Sequence, residues 1–174
     1  MKGGLIHVYI GDGKGKTTAA VGLSVRAAGR DMKVLFVQFL KTSETGELRS
    51  LEKIGVQVLR SELVLGFTHQ MNEKARISCR EEQRKLLDRI NEILKTERID
   101  LLVLDEVIDG VNAGMLDEGA LRSLVEGKGE DLELVMTGRQ PPEWIIAAAD
   151  YVSDIKKVKH PYDRGIKART GIER

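Results

Sequence analysis

The residues best equipped for chemistry are Gly11-Asp12-Gly13-Lys14-Gly15-Lys16-Thr17-Thr18, which join the apolar run Leu5–Ile10 to an Ala/Val-rich segment beginning at Lys16. Closely spaced glycines let successive backbone N–H groups turn toward one anion, and a helix N-terminus adds partial positive charge. Lys16 can reach terminal phosphates, and the Thr17 hydroxyl can ligate Mg²⁺. The whole octet, Gly11 to Thr18, is therefore expected to bind a nucleoside triphosphate. Its pattern is a variant of G-x-x-x-x-G-K-[ST], with Ile10 where the first glycine would stand. The dinucleotide fingerprint G-x-G-x-x-G does not fit, because its third glycine would be Lys16.

A second set of reactive groups closes the run Leu101-Leu102-Val103-Leu104-Asp105-Glu106. Two carboxylates at the end of a buried strand have the character of a Walker B element. A hard cation bridging triphosphate oxygens wants carboxylate or water ligands beside Thr17, so Asp105 or Glu106 can hold Mg²⁺ directly or through water. Glu106 is ambiguous between metal holder and the acid that polarises water. A helix-capping aspartate is the bland alternative for this site. Val135-Met136-Thr137-Gly138-Arg139 brings a guanidinium to a third strand end. Arg139 can clamp phosphate or adenosine there, or pair with a nearby surface acid.

These groups need a scaffold that gathers strand ends, and the remaining sequence supplies one. Strand-like and helix-like segments alternate to about Lys156, which predicts an α/β P-loop NTPase (RecA-like) fold: three layers, α/β/α, around a mainly parallel central sheet. Strands are expected at Leu5–Ile10, Lys33–Phe39, Val56–Arg60, Leu101–Asp105, Leu132–Thr137 and Tyr151–Ile155, several apolar throughout as burial on both faces requires. The longest helix is expected from about Asn72 to Thr96, with Leu86, Leu87, Ile90, Ile93 and Leu94 as its apolar stripe. Gly29 stands where a C-terminal cap belongs, and Pro141-Pro142 can open the last helix.

At 174 residues with 41% hydrophobic content, the chain can fill one core without disulfides or metals, so 1–174 reads as a single nucleotide-binding domain. Residues 157–174 turn basic and irregular, as a segment closing over a site would, though a frayed tail would look the same. Charged residues make up 32% but nearly cancel to +1, so no surface for nucleic acid is indicated. No apolar run approaches the roughly 18 residues of a membrane span, and no signal peptide opens the chain, so a cytoplasmic location is expected. Cys79 is the only cysteine, which excludes an internal disulfide and any multi-cysteine metal site.

With these motifs in hand, the chain resembles the P-loop type of ATP:corrinoid adenosyltransferases, which act in cobalamin synthesis and salvage. The resemblance rests on Gly11–Thr18, Arg26-Ala27-Ala28-Gly29, Val37-Gln38-Phe39-Leu40-Lys41, Gly46-Glu47 and Gly66-Phe67-Thr68. It continues through Leu104-Asp105-Glu106, Thr137-Gly138-Arg139, Ala149-Asp150, Lys159-His160-Pro161 and Gly171-Ile172-Glu173. It implies that Co(I) of a corrinoid attacks the 5′ carbon of ATP, forming a cobalt–carbon bond and releasing triphosphate. Lys16, the loop N–H groups and Mg²⁺ would then stabilise charge on the leaving group, with ATP reversed relative to ordinary P-loop enzymes. The family uses aromatic side chains to displace the lower axial ligand of cobalt, and Phe67 matches one of them.

The second family aromatic, a tryptophan, is His69 here; imidazole can ligate cobalt where indole cannot, which would defeat the four-coordinate mechanism or signal a changed corrinoid, while a solvent-facing histidine is the bland alternative. Ile108 stands where the family often has asparagine, and only Met1 to Gly4 precede the first strand, where some members carry a covering extension. Closure is then expected from the segment around His160 or from a partner subunit, since the family is typically homodimeric. A flavoprotein or ferredoxin reductant is a further family expectation. Two rival readings keep the generic motifs: a P-loop ATPase or small-molecule kinase, which would make ADP, and a nucleotide- or corrinoid-binding module without turnover.

Overall fold

The computed structural model describes residues 3–41, 45–61 and 71–173. Six strands, β1 (Ile6–Ile10), β2 (Val34–Gln38), β3 (Gln57–Arg60), β4 (Leu101–Asp105), β5 (Glu133–Thr137) and β6 (Tyr151–Asp154), form one sheet in the order β3-β2-β4-β5-β1-β6. All six expected strands are present. The sheet goes further than the expected mainly parallel arrangement, because every pairing among the described residues is parallel. The helices are α1 (Lys16–Ala28), α2 (Gly46–Lys53), α3 (Glu73–Thr96), α4 (Val107–Asn112), α5 (Glu118–Glu126) and α6 (Glu143–Ala148).

The run of apolar residues in β2 and β4 has its cause in this layering: both strands are buried along their whole length. Val34, Phe36, Leu101, Val103 and Val135 pack under Ala20 and Ala27 of α1 and Leu48 and Leu51 of α2. Their neighbours Leu35, Val37, Leu102, Leu104, Leu134 and Met136 pack on the other face, against α3, α5 and α6. Three layers result, as in P-loop NTPases. The predicted stripe of α3 is core: Leu86, Leu87, Ile90 and Ile93 are buried, with Leu94 packed beside them.

Asn72 starts α3 by accepting a hydrogen bond from the Ala75 N–H at 2.9 Å, the usual service of an N-cap side chain. Gly29 does take the C-cap of α1, but with φ −66, so it does not supply the left-handed turn that favours glycine. That turn comes at Asp31, φ 59. Pro142 is the N-cap of α6, immediately ahead of Glu143. Among the described residues no helix is long and apolar enough to cross a membrane.

Alternation along the strands has one further effect. Counting by twos from the residues under α1, the last residues of three strands, Gln38, Asp105 and Thr137, point to the same face as α1. Gln38 and Asp105 are register partners across β2 and β4. The N-terminus of α1, with Thr17, lies over this row.

Candidate functional site

The glycine loop is held by the far end of the chain. The Gly13 N–H donates to Ile155 O at 2.7 Å, the Ile155 N–H donates to Ile10 O at 2.8 Å, and the Lys157 N–H donates to Asp12 Oδ1 at 2.9 Å. A Cβ on Gly13 would sit 2.6 Å from Ile155 O, and one on Gly11 would sit 2.3 Å from the same atom. Those two glycines admit the chain's own backbone, and the Gly13 N–H is spent on it. Gly15 differs: a Cβ there would make only ordinary contact with the Ile155 side chain at 4.0 Å, but its φ of 129 at the start of α1 is one that side chains rarely tolerate.

Lys16 folds back on the loop, its Nζ donating to Gly11 O at 2.7 Å and Gly13 O at 2.9 Å. Burial, and then the nearby Arg139 guanidinium, lower its pKa from the ordinary lysine value. The Asp12 carboxyl is held below the usual range by the bond from the Lys157 N–H. Lys14 and Thr18 are exposed.

Asp105 is the centre of the constellation and has no solvent exposure. Its Oδ1 accepts from the Thr17 hydroxyl at 2.9 Å and the Thr137 hydroxyl at 2.8 Å. Its Oδ2 accepts from Gln38 Nε2 and Lys41 Nζ, both at 3.2 Å. Four donors fill the acceptor capacity of one carboxylate, which is how a buried charge is kept tolerable. The bland alternative, a helix-capping aspartate, is overturned: the N-cap of α4 is Glu106, and its side chain makes no cap bond.

Glu106 leaves β4 in a left-handed conformation, φ 60, with its N–H donating to Thr137 Oγ1 at 2.9 Å. Its Oε1 lies 3.3 Å from Lys41 Nζ. Burial raises the Glu106 pKa, with Lys41 opposing and Asp105 adding to the rise. Burial works against the Lys41 ammonium, but Asp105 and Glu106 outweigh it and raise its pKa. Arg139 is exposed at the end of β5, its N–H donating to Asp109 Oδ1 at 3.2 Å and its carbonyl accepting from Asn112 Nδ2 at 2.7 Å. Burial raises the Asp109 pKa against the opposing N–H and charge of Arg139.

The structure thus gathers Gly11 to Thr17, Asp105, Glu106 and Arg139 at the carboxyl ends of the strands, where ligands bind in open α/β sheets. Phe67 and His69 lie outside the described residues. Four contributors were not anticipated: Gln38, Lys41, Thr137 and Asp109. Strand alternation could have found Gln38 and Thr137, and Lys41 closes the family-like run Val37–Lys41 without a role having been read from it; nothing local marks Asp109. Other quoted residues are architectural. Asp150 Oδ2 accepts from the Ile6 N–H at 2.8 Å, where β1 begins, and His160 caps the 3-10 turn Pro161–Arg164 through the Tyr162 N–H. Ile108 is fully buried in the core. Two grooves of about 690 and 550 Å³ lie elsewhere, against the ends of α3 and α5 and between α3 and the α4–α5 turn, and neither is lined by the loop or the acidic pair.

Such a site can bind a polyanion at the loop and a cation beside Thr17, with arginine and lysine on either side. Comparison with known proteins specifies the chemistry. Residues 2–174 match the family model described as ATP:corrinoid adenosyltransferase BtuR/CobO/CobP. A corrinoid adenosyltransferase of Sinorhizobium sp. is 35% identical over 173 residues, covering 98% of this chain and 80% of that protein. One of Escherichia coli (strain K12) is also 35% identical, covering 98% and 85%. One of Pseudomonas aeruginosa is 32% identical over 171 residues, covering 98% and 83%. With a family match that runs through loop, acidic pair and C-terminal segment alike, the chain belongs to the ATP:corrinoid adenosyltransferase family.

Proposed function

We propose that the chain transfers the 5′-deoxyadenosyl group of ATP to Co(I) of a corrinoid. The cobalt electron pair forms the Co–C5′ bond, the C5′–O bond breaks, and triphosphate departs with its electrons. The family match supports the reaction, and the observation that ties it to this chain is the Thr17–Asp105 bond at 2.9 Å, which pins the N-terminus of α1 over the strand ends.

The residues divide the work as follows. Lys16 exchanges two neutral carbonyl acceptors for charged phosphate oxygens, which bind an ammonium more strongly. It thereby stabilises the negative charge that gathers on the leaving group. The loop from Gly11 to Thr18 holds the chain of phosphates with the N–H groups it has left, since that of Gly13 is spent on Ile155 O, and Arg139 stands at the neighbouring strand end. Thr17 fits a Mg²⁺ ligand because its hydroxyl proton is committed to Asp105, leaving lone pairs for a cation. Asp105, with four donors already on it, acts through Thr17 and orients it. When bound, Mg²⁺ supplies neutralisation of the phosphate oxygens. Glu106, paired to Lys41 before nucleotide arrives, stands beside Thr17 and Asp105 where it can anchor the cation's surroundings.

Phe67 and His69 are assigned to the corrinoid pocket by family likeness. Residues 1–174 act as a single domain, whose C-terminal segment from 157 covers the loop. The Lys157–Asp12 bond and the Gly13–Ile155 bond support that closure. A homodimer, a cytoplasmic setting and a flavoprotein or ferredoxin reductant complete the reading.

The test is anaerobic incubation with MgATP and chemically reduced cob(I)alamin or cobinamide, following the cobalt–carbon product optically and phosphates by ³¹P NMR. Adenosylated corrinoid with stoichiometric triphosphate is expected. ADP without alkylation would return the reading to an ATPase or kinase, and binding without products to a non-catalytic module. Phe67→Ala should impair use of Co(II) more than transfer to prepared Co(I).

A further inference from the structure

Lys41 has no part in the reaction as described, yet the fold goes to some trouble to place it. Its Nζ bridges Asp105 Oδ2 at 3.2 Å and Glu106 Oε1 at 3.3 Å. The residue before it, Leu40, is left-handed with φ 57, a conformation that a bulky side chain adopts only when its surroundings impose it. The turn is fastened on every side. The Lys41 N–H donates to Phe39 O at 2.6 Å, the Phe39 N–H to Asp105 O at 2.9 Å, and the Leu40 N–H to Oε1 of the buried Gln83 at 3.4 Å. Strained backbone held this firmly, next to reactive groups, is the mark of a functional placement.

We propose that Lys41 is the resident counter-cation of the site, a positioning residue that holds Asp105 and Glu106 together before nucleotide binds and yields that task to the divalent cation arriving with ATP. The inference rests on the functional reading above, since it takes MgATP as the visitor. Two adjacent carboxylates, one of them without exposure, repel each other unless a positive charge stands between them. A divalent ion beside Thr17 supplies that charge twice over and repels the ammonium. The Lys41 side chain is 24% exposed, so solvent is open to it on leaving. Its presence beforehand weakens capture of a bare cation and couples metal binding to nucleotide binding.

The experiment is a nucleotide-free Mn²⁺ titration, read by the EPR signal of free Mn²⁺ and by Tm, on the wild-type chain and on Lys41→Gln, Lys41→Met and Lys41→Arg. The wild type and Lys41→Arg should bind Mn²⁺ weakly and hold their Tm. Lys41→Gln should bind it at least about tenfold more tightly, because one repelling charge is gone. Both neutral variants should melt on the order of 10 °C lower, and Mn²⁺ should restore at least about half of that loss. A neutral variant that folds only with Mn²⁺ supports the inference equally. Unchanged Mn²⁺ affinity in Lys41→Gln, a Tm that Mn²⁺ does not move, or failure to fold even with Mn²⁺ would overturn it. Adenosyl transfer by the wild type is measured in parallel: its absence sinks the functional reading and leaves the metal titration standing.

Discussion

Substituting Gly13 by alanine tests whether the loop is shaped by the segment that follows β6. The new Cβ would lie 2.6 Å from Ile155 O and 2.8 Å from both Lys156 C and Lys156 O, all backbone atoms that cannot rotate away. The nearest is about 0.8 Å short of ordinary van der Waals contact, taken as 3.4 Å. Relief requires the loop and the end of β6 to part, which stretches or breaks the Gly13–Ile155 hydrogen bond. Overpacking costs about 1–3 kcal/mol and a lost hydrogen bond about 0.5–1.5 kcal/mol, so roughly 2–4 kcal/mol is expected in total. For a chain of this size that is a fall in Tm of roughly 4–15 °C. The assay is thermal denaturation without nucleotide, with hydrogen exchange at the Gly13 and Ile155 amides to localise the change. Gly22→Ala is the control, because nothing lies within 4 Å of its new Cβ. That helix-interior substitution should be neutral or stabilise by up to about 1 kcal/mol. A Gly13→Ala protein melting within about 1 °C of wild type would refute the steric account.

Lys16→Ala should lower transfer by about a thousandfold or more, since it removes the cation facing the leaving group, and near-normal kcat would count against that role. Asp105→Asn removes the charge that Lys41 Nζ pairs with and, turned one way, faces its N–H₂ at Gln38 Nε2 and Lys41 Nζ; a loss of about 3–5 kcal/mol in urea denaturation is expected, and less than about 1 kcal/mol would contradict the buried-pair argument. The raised Glu106 pKa means the folded state holds this proton more tightly than the unfolded one. Its contribution to stability therefore falls as pH rises from the unfolded value of 4.5 through the raised folded value. Glu106→Gln should flatten that slope in nucleotide-free Tm measurements, and an unaltered slope would exclude Glu106 as its source. The opposite sign holds at the tail. Arg169 pulls the Glu173 carboxyl from 4.5 to about 2, so the ordering it provides should persist at neutral pH and fade as pH falls through that lower value. NMR of residues 169–173 across this range should show the loss, and tail signals indifferent to acid would discount the pair.

Much of the protein is written in local pattern. Apolar runs at Val34–Val37 and Leu101–Leu104 announce strands buried on both faces, and the α3 stripe announces a helix with one buried side, because period and polarity act on covalent neighbours. The loop is legible for the same reason: glycines, Lys16 and Thr17 are consecutive, so their spacing is chemistry already. Alternation even carries Gln38, Asp105 and Thr137 to one face, though that follows only once the strand order β2-β4-β5 is known. What the tertiary structure alone decided is partnership. Lys41 and Asp105 are 64 positions apart, and no propensity links them. Their meeting depends on the parallel register of β2 with β4 and on the left-handed turn at Leu40. Likewise Gly13 needs to be glycine partly because Ile155 passes over it. A charge or a clash is set by distance through space, and distance through space between remote residues exists only after the layers have packed.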